Sequence, residues 1–309
     1  MLFRNLTLFR FPSSLRAALD ALPERLPGHA LKAIGPLELS TRGFVSPFGR
    51  GDERLSHRVG DFLLLNLGGE NKILPAAVVN QVLNEKLDTI REQEGRSPGG
   101  RERKRLKDEV LTDLLPRAFS KPMRVPAYLD LSLGWLVVDT GSRKNAEAVV
   151  SAIREALGSF PALPVNAESS PRAIMTGWIG SEGGAMCEAL PDGFELGEEF
   201  DLIDPVDGGA IGKFRRQDAS ADEIEAHLEA GKQCSRLALI FHGRLSFVLD
   251  QDMAIRKLKF LETATESLEK DDRQSVEAEV DATFALMTGE LRVLLERLET
   301  EFDLSAADA

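Results

Sequence analysis

Cysteine is nearly absent from this chain. Its 309 residues hold only Cys187 and Cys234, with no Cys-x-x-Cys pair, so a disulfide framework or thiolate metal site has almost nothing to be built from. Both thiols are expected to be reduced and structural, as in a cytosolic protein. Aromatic residues are sparse at 6%, which argues against stacking platforms of the kind that hold unpaired bases. Long apolar runs are missing as well. The stretch around residues 62–67 falls far short of the roughly 20 residues a membrane span needs. The N-terminus is apolar but broken by Arg4, Asn5 and Arg10, so it reads as a first strand, not as a signal peptide. The expectation is a soluble protein.

Catalytic patterns are equally scarce. His29, His57, His227 and His242 stand far apart and form no His-Glu-x-x-His pair. No Gly-x-Ser-x-Gly elbow occurs. The stretch from Asp207 to Phe214 imitates a phosphate loop, but Asp207 stands where the first glycine is required and Phe214 where a hydroxyl must reach magnesium. Asp201, Asp204 and Asp207 lack the glycine and bidentate glutamate of a calcium loop and read as an acidic surface loop. No catalytic residue, metal or cofactor is expected, and the chain is read as a binding protein rather than an enzyme.

What is present is unevenly distributed charge. The net charge of −12 argues against a polyanionic partner, but residues 182–208 alone carry −9 and residues 262–309 carry −10. Without these two segments the remainder is +7. A local field, not the total, steers a polyanion.

Punctuation and periodicity give an α+β class, with antiparallel β-sheets and packed helices but no βαβ alternation. Strands are expected at 2–11, 61–67, 127–131, 134–140, 233–241, 244–250 and 254–260. Helices are expected at 13–22, from Pro75 on, 101–115, 142–157, 171–179, 220–231 and 286–298, with a polar, acidic helix before the last. The Gly- and Pro-rich break at 92–100 sets the following basic segment at the tip of a projection. Residues 1–70 with 122–165 form an expected N-terminal α+β module. Residues 71–121 form a projecting helical segment, and 166–309 a C-terminal α+β module ending in acidic helices. The stretch up to Gly212 reads as an acidic loop.

Three basic clusters stand out. Arg101, Arg103, Lys104, Arg105 and Lys107 lie on the expected helix, continued by Arg117 and Lys121. Lys213, Arg215, Arg216 and Gln217 follow the acidic loop. Arg256, Lys257 and Lys259 lie on an expected strand, where alternation sends Arg256 to one face and the two lysines to the other. A solvated helix face competes with a binding surface at the first cluster. Separated bases without aromatic platforms or a recognition helix suit phosphate contacts on duplex DNA better than base readout.

The chain resembles the RdgC family of recombination-associated proteins. The resemblance rests on Lys72-Ile73-Leu74-Pro75, on the run from Lys107 through Leu114-Leu115-Pro116-Arg117-Ala118-Phe119-Ser120, and on Leu157-Gly158-Ser159-Phe160-Pro161. Thr176 with Trp178, Glu229-Ala230-Gly231-Lys232, Arg256-Lys257-Leu258-Lys259-Phe260 and the run Asp281 to Leu291 extend it over nearly the whole length. It implies a ring-shaped homodimer with duplex DNA in a basic central hole, bound without regard to sequence. It also implies restraint of RecA-dependent recombination, action in replication fork repair, and a cytoplasmic, nucleoid-associated protein. Phe119 is implied at one dimer contact, with an ordinary core phenylalanine as the alternative. Arg216 and Gln217 are implied at the other contact, close to DNA. A factor that binds the recombinase directly is the alternative function, and a metal-dependent nuclease using the three aspartates is a third.

Overall fold

A computed structural model describes residues 2–49, 51–179, 189–206, 209–216, 222–269 and 275–305. Its strands follow the period-two alternation of apolar residues. They are β1 (Leu6–Arg10), β2 (Ser40–Phe44), β3 (Ser56–Val59), β4 (Phe62–Lys72), β5 (Ser120–Asp130) and β6 (Trp135–Asp139), then β7 (Leu163–Pro164), β8 (Phe194–Ile203), β9 (Ile211–Arg215), β10 (Gln233–Phe241), β11 (Leu245–Asp250) and β12 (Ile255–Phe260). All belong to one twelve-stranded sheet of order β2-β4-β5-β6-β1-β12-β11-β10-β8-β9, with β3 beside β4 and β7 beside β1. Its ladders are antiparallel. Separate sheets were expected. Instead Leu6 of β1 pairs with Ile255 of β12, and the Leu258 amide donates to the Arg4 carbonyl, fusing the strands of both halves into one surface.

The helices are α1 (Arg16–Asp20), α2 (Leu22–Arg25), α3 (Ala76–Glu94), α4 (Gly100–Leu114), α5 (Arg143–Leu157), α6 (Pro171–Trp178), α7 (Asp222–Glu229), α8 (Glu262–Glu269) and α9 (Val276–Phe302). Helix α5 starts at Ser142, whose hydroxyl accepts from the Asn145 amide. It buries Val149, Val150 and Ile153 on one face of the N-terminal strands, against Phe9, Leu63, Leu65 and Val138.

Helix α9 serves the opposite face. Its 27 residues reach about 40 Å, and Phe284, Met287, Leu291, Leu294, Leu298 and Phe302 recur at helical spacing, each at most 2% exposed. Phe284 meets Phe62 and Tyr128 in the N-terminal half, while Phe302 meets Trp178 on α6. One stripe thereby closes the core of both halves. Each such buried side chain contributes roughly 1.5–3 kcal/mol. The expected helix at 286–298 is short at both ends. Its first turns carry Glu277 and Glu279 beside a cap in which Ser275 accepts from the Ala278 amide, and acids in a first turn favour a helix through its dipole.

Helices α3 and α4 form a hairpin with a small core of its own, from Val79, Leu83, Leu87, Leu106 and Val110. The turn begins where Gly95 adopts φ 65 and caps α3, within the break expected at 92–100. Strands β8 and β9 occupy the stretch expected as a loop. A register shift between Leu237 and Leu239 of β10 interrupts the alternation of β8, which hid it from a period-two reading.

The β5–β6 turn carries a buried carboxylate. Asp130 Oδ1 accepts from the Ser132 and Leu133 amides and the Ser132 hydroxyl, and Oδ2 pairs with Arg292 of α9 at 2.7 Å. Gly134 completes the turn at φ 72, where a Cβ would clash with the Phe11 carbonyl oxygen. Loss of Asp130 strands a partly buried guanidinium and three donors. Asp130→Ala is expected to lower unfolding stability by roughly 3 kcal/mol, measured by urea denaturation; a change within about 0.5 kcal/mol, the ordinary range for a surface position, contradicts this role.

Candidate nucleic-acid interface

Helices α6, α7 and α9 bury one face of the C-terminal strands through Met175, Trp178, Ile224, Leu228 and the α9 stripe. Among the described residues no comparable apolar layer covers the other face. There Arg236, Ala238 and Ile240 of β10 and Ser246 and Val248 of β11 stay partly exposed. Directly paired residues of an antiparallel ladder share a face, so register assigns the neighbours. Arg256 opposes Val248 and Lys259 opposes Ser246. Arg236 opposes both Asp250 and Asp201, Lys213 opposes Asp201, and Arg215 opposes Glu199.

Two sequence-predicted clusters are thereby brought onto one open face: Lys213 and Arg215 of β9, and Arg256, Lys257 and Lys259 of β12. The expected division of β12 is overturned. Lys257 takes φ 52 and sits in a β-bulge between the Arg256 and Lys259 pairings. The bulge inserts one residue and resets parity, so Arg256 and Lys259 emerge on the same side. Lys257 reaches across the same surface to Glu199.

Arg236 escaped the sequence reading, although its signal was present. Strand 233–241 was placed correctly, and its alternation puts Leu237, Leu239 and Phe241 inside and Arg236 outside.

The face also holds carboxylates. Lys257 Nζ donates to Glu199 Oε2 at 2.5 Å, and Arg215 Nε lies 3.6 Å from the same oxygen. Arg215 pairs with Asp201 at 2.8 Å, Arg236 lies 3.8 Å from Asp201, and Arg236 pairs with Asp250 at 3.0 Å. Glu199, Asp201, Arg215, Arg236, Arg256 and Lys257 line a hollow of about 70 Å³. Charge is therefore not segregated as the sequence suggested: acids of the 182–208 segment are interleaved with the bases. The acids of α9, by contrast, ride on a helix packed behind the sheet, away from the open face.

Helix α4 presents the first cluster. Arg101, Arg103, Lys104 and Lys107 are exposed and make no ion pair with a described residue, while Arg105 lies 3.4 Å from Glu109. Arg96 at the turn is held by Glu94 and Glu102 at 2.6 and 2.7 Å. Arg117 and Lys121 are exposed at the base of the hairpin, on a 3-10 turn and on β5. Phe119 between them is 85% exposed, which excludes the core-phenylalanine reading within one chain. Its carbonyl accepts from the Ile73 amide, and the neighbouring Lys72 amide donates to Leu39. Ile73, paired with Phe119 through that hydrogen bond, is itself 49% exposed, an apolar neighbour that the sequence reading did not pick out. Arg216 is exposed at φ 55, its amide donating to the Glu198 carbonyl. Gln217, Asp207 and Cys187 lie outside the described residues.

Asp201 is 4% exposed and occupied by two arginines, and no cluster of metal-ligating residues occurs among the described residues. Burial pushes the Cys234 thiol up to about 12, so it stays protonated at neutral pH. No helix among the described residues is long and apolar enough to cross a membrane.

Fold and surface together define an α+β protein whose described strands form one antiparallel sheet, one face of which presents mixed but base-rich charge. The chain belongs to the RdgC family. The family model described as "Putative exonuclease, RdgC" matches residues 1–305. The chain is similar, at 54% identity over the full length of both proteins, to the "Recombination-associated protein RdgC" of Xanthomonas axonopodis pv. citri (strain 306) and to that of Stenotrophomonas maltophilia (strain R551-3).

Asp201→Ala leaves Arg215 and Arg236 without their buried counter-charge and is expected to lower stability by about 2 kcal/mol or more. Magnesium is expected to leave the melting temperature of the unaltered protein unchanged. A magnesium-dependent rise that disappears in Asp201→Ala contradicts a purely structural carboxylate.

Proposed function

We propose that this protein binds double-stranded DNA without reading its sequence, as a ring-shaped homodimer, and is not an enzyme. The observation that carries the reading is the uncovered sheet face, where Lys213, Arg215, Arg236, Arg256, Lys257 and Lys259 are gathered from β9, β10 and β12. An array of cations gathered from neighbouring strands, with acids among them, suits phosphate contacts along a duplex. The exposed bases of α4, with Arg117 and Lys121, extend the same chemistry. Two copies meeting through the Phe119 end and through the Arg216–Gln217 end close the ring around the DNA. The relatives' name, recombination-associated, supports a role in restraining RecA-dependent recombination and in replication fork repair, exerted by occupying the duplex in the nucleoid. Direct binding to the recombinase is the competing reading. It predicts recovery of that complex from nuclease-treated lysate.

The family description raises exonuclease activity as a further reading. It requires degradation of end-labelled duplex with magnesium, and none is expected here.

DNA affinity is expected to be insensitive to sequence and to fall with salt at a log–log slope of about −0.9 per phosphate neutralised. Lys213→Glu and Arg216→Glu are expected to weaken binding about tenfold or more at moderate salt while leaving the melting temperature in place. Salt-insensitive or sequence-selective binding overturns the proposal.

Phe119→Ala is expected to shift sedimentation toward monomer and to weaken DNA binding with it. Unchanged sedimentation removes Phe119 from the subunit contact.

A further inference from the structure

On an open cationic face, a carboxylate placed between two bases holds the position that a phosphate would take. Glu199 Oε2 accepts from Lys257 Nζ at 2.5 Å and lies 3.6 Å from Arg215 Nε. Both cations belong to the proposed DNA-facing array, one on β12 and one on β9, and Glu199 bridges them from β8 between.

Its neighbour Asp201 is a different kind of group. Asp201 is 4% exposed and held by Arg215 at 2.8 Å, an internal counter-charge fixed by burial. Glu199 has a side chain 35% exposed on a longer stem, so it can leave its partners without opening the core. The Lys257 ammonium also holds the Glu199 carboxyl below the usual carboxylate range, with Arg215 and Lys259 adding to the effect. The group is therefore ionised wherever DNA binding is measured near neutral pH.

We propose that Glu199 is a built-in competitor of phosphate: it occupies Lys257 and Arg215 in the free protein and must be displaced before a phosphodiester can engage them. This inference rests on the DNA-binding reading and adds to it a residue that limits affinity. Nothing in duplex binding requires an acid on this surface. An exposed ion pair between such groups adds little to fold stability. The same pair lowers the gain from each phosphate contact at Lys257 and Arg215, because one ion pair is exchanged for another. A sequence-independent binder that must move along a duplex gains from contacts that break easily, and this one supplies its own replacement partner.

The test is a salt titration of binding to a short labelled duplex by the full chain. Glu199→Gln keeps the shape and removes the charge. It is expected to bind roughly threefold to tenfold tighter at fixed salt, with the log–log slope steeper by about 0.9, as one further phosphate is neutralised. Glu199→Asp keeps the charge and is expected to remain nearer the unaltered protein than the glutamine variant. Glu262→Gln removes the same charge from exposed α8, beside α9, and is expected to stay within about twofold of the unaltered protein. Equal or weaker binding by Glu199→Gln overturns the proposal, as does an equal gain from Glu262→Gln, which would make net charge the cause. Should the glutamine variant lose cooperative melting, Glu199→Ala carries the same expectation. These failures leave the DNA-binding reading standing. That reading falls separately if the unaltered protein binds without salt dependence.

Discussion

Burial of the α9 stripe against one face of the sheet is the constraint on which the rest depends. A sheet has two faces, and the side chains of each strand alternate between them. Once Phe284, Met287, Leu291, Leu294, Leu298 and Phe302 have claimed one face across both halves, the apolar residues of β10, β11 and β12 must point that way. The N-terminal strands find a second apolar layer in α5, and their other alternate residues are apolar too. Among the described residues the C-terminal strands lack a comparable layer. Their outward positions go to Arg236, Ser246, Arg256 and Lys259 because those positions remain wet. The charged face is a consequence of where the helices are.

Joining the halves through β1 and β12 makes this consequential. Had the chain formed two sheets, the bases of β9 and β12 would lie on surfaces free to tilt apart. Continuity through Leu6 and Ile255 keeps β12 in the same pleated surface as the N-terminal strands, and Arg256 reaches as far as Gly141, before α5. The Asp130–Arg292 pair ties α9 to the β5–β6 turn from behind. A polar tie of this kind adds direction rather than much energy, since taking both charges from water costs about what their attraction returns.

Much of this was legible in the sequence where one residue pattern had one physical meaning. The strand at 233–241 and its partners showed clean alternation, and the helices expected from Pro75 on and at 142–157 correspond to α3 and α5. Legibility failed where two signals competed. In β8 a bulge interrupts the alternation, and four acids within the strand gave the compositional signature of a loop. At Lys257 the bulge needs a positive φ at a residue type that seldom adopts it, so the two-residue period assigned Lys257 and Lys259 to the face opposite Arg256. The long reach of α9 was hidden because its first two turns are acidic. Ile73, by contrast, lies far from Phe119 in sequence and meets it only through strand pairing, which no local pattern encodes.

The interleaving of acids and bases changes what the charge counts mean. Summed by segment, residues 182–208 look like a purely acidic surface. In the fold that segment supplies Glu199 and Asp201 to the centre of the basic array, where Asp201 answers Arg215 and Arg236 while Glu199 holds Lys257. A surface of unpaired cations would repel itself and hold any polyanion tightly, whereas one with carboxylates set among the bases is internally compensated. Such a surface attracts phosphate at a distance through its remaining excess of bases and yields each close contact only by exchange. Under the proposed DNA-binding reading, Glu199 and Asp201, two of the acids that made the chain look unfit for a polyanion, then moderate its grip.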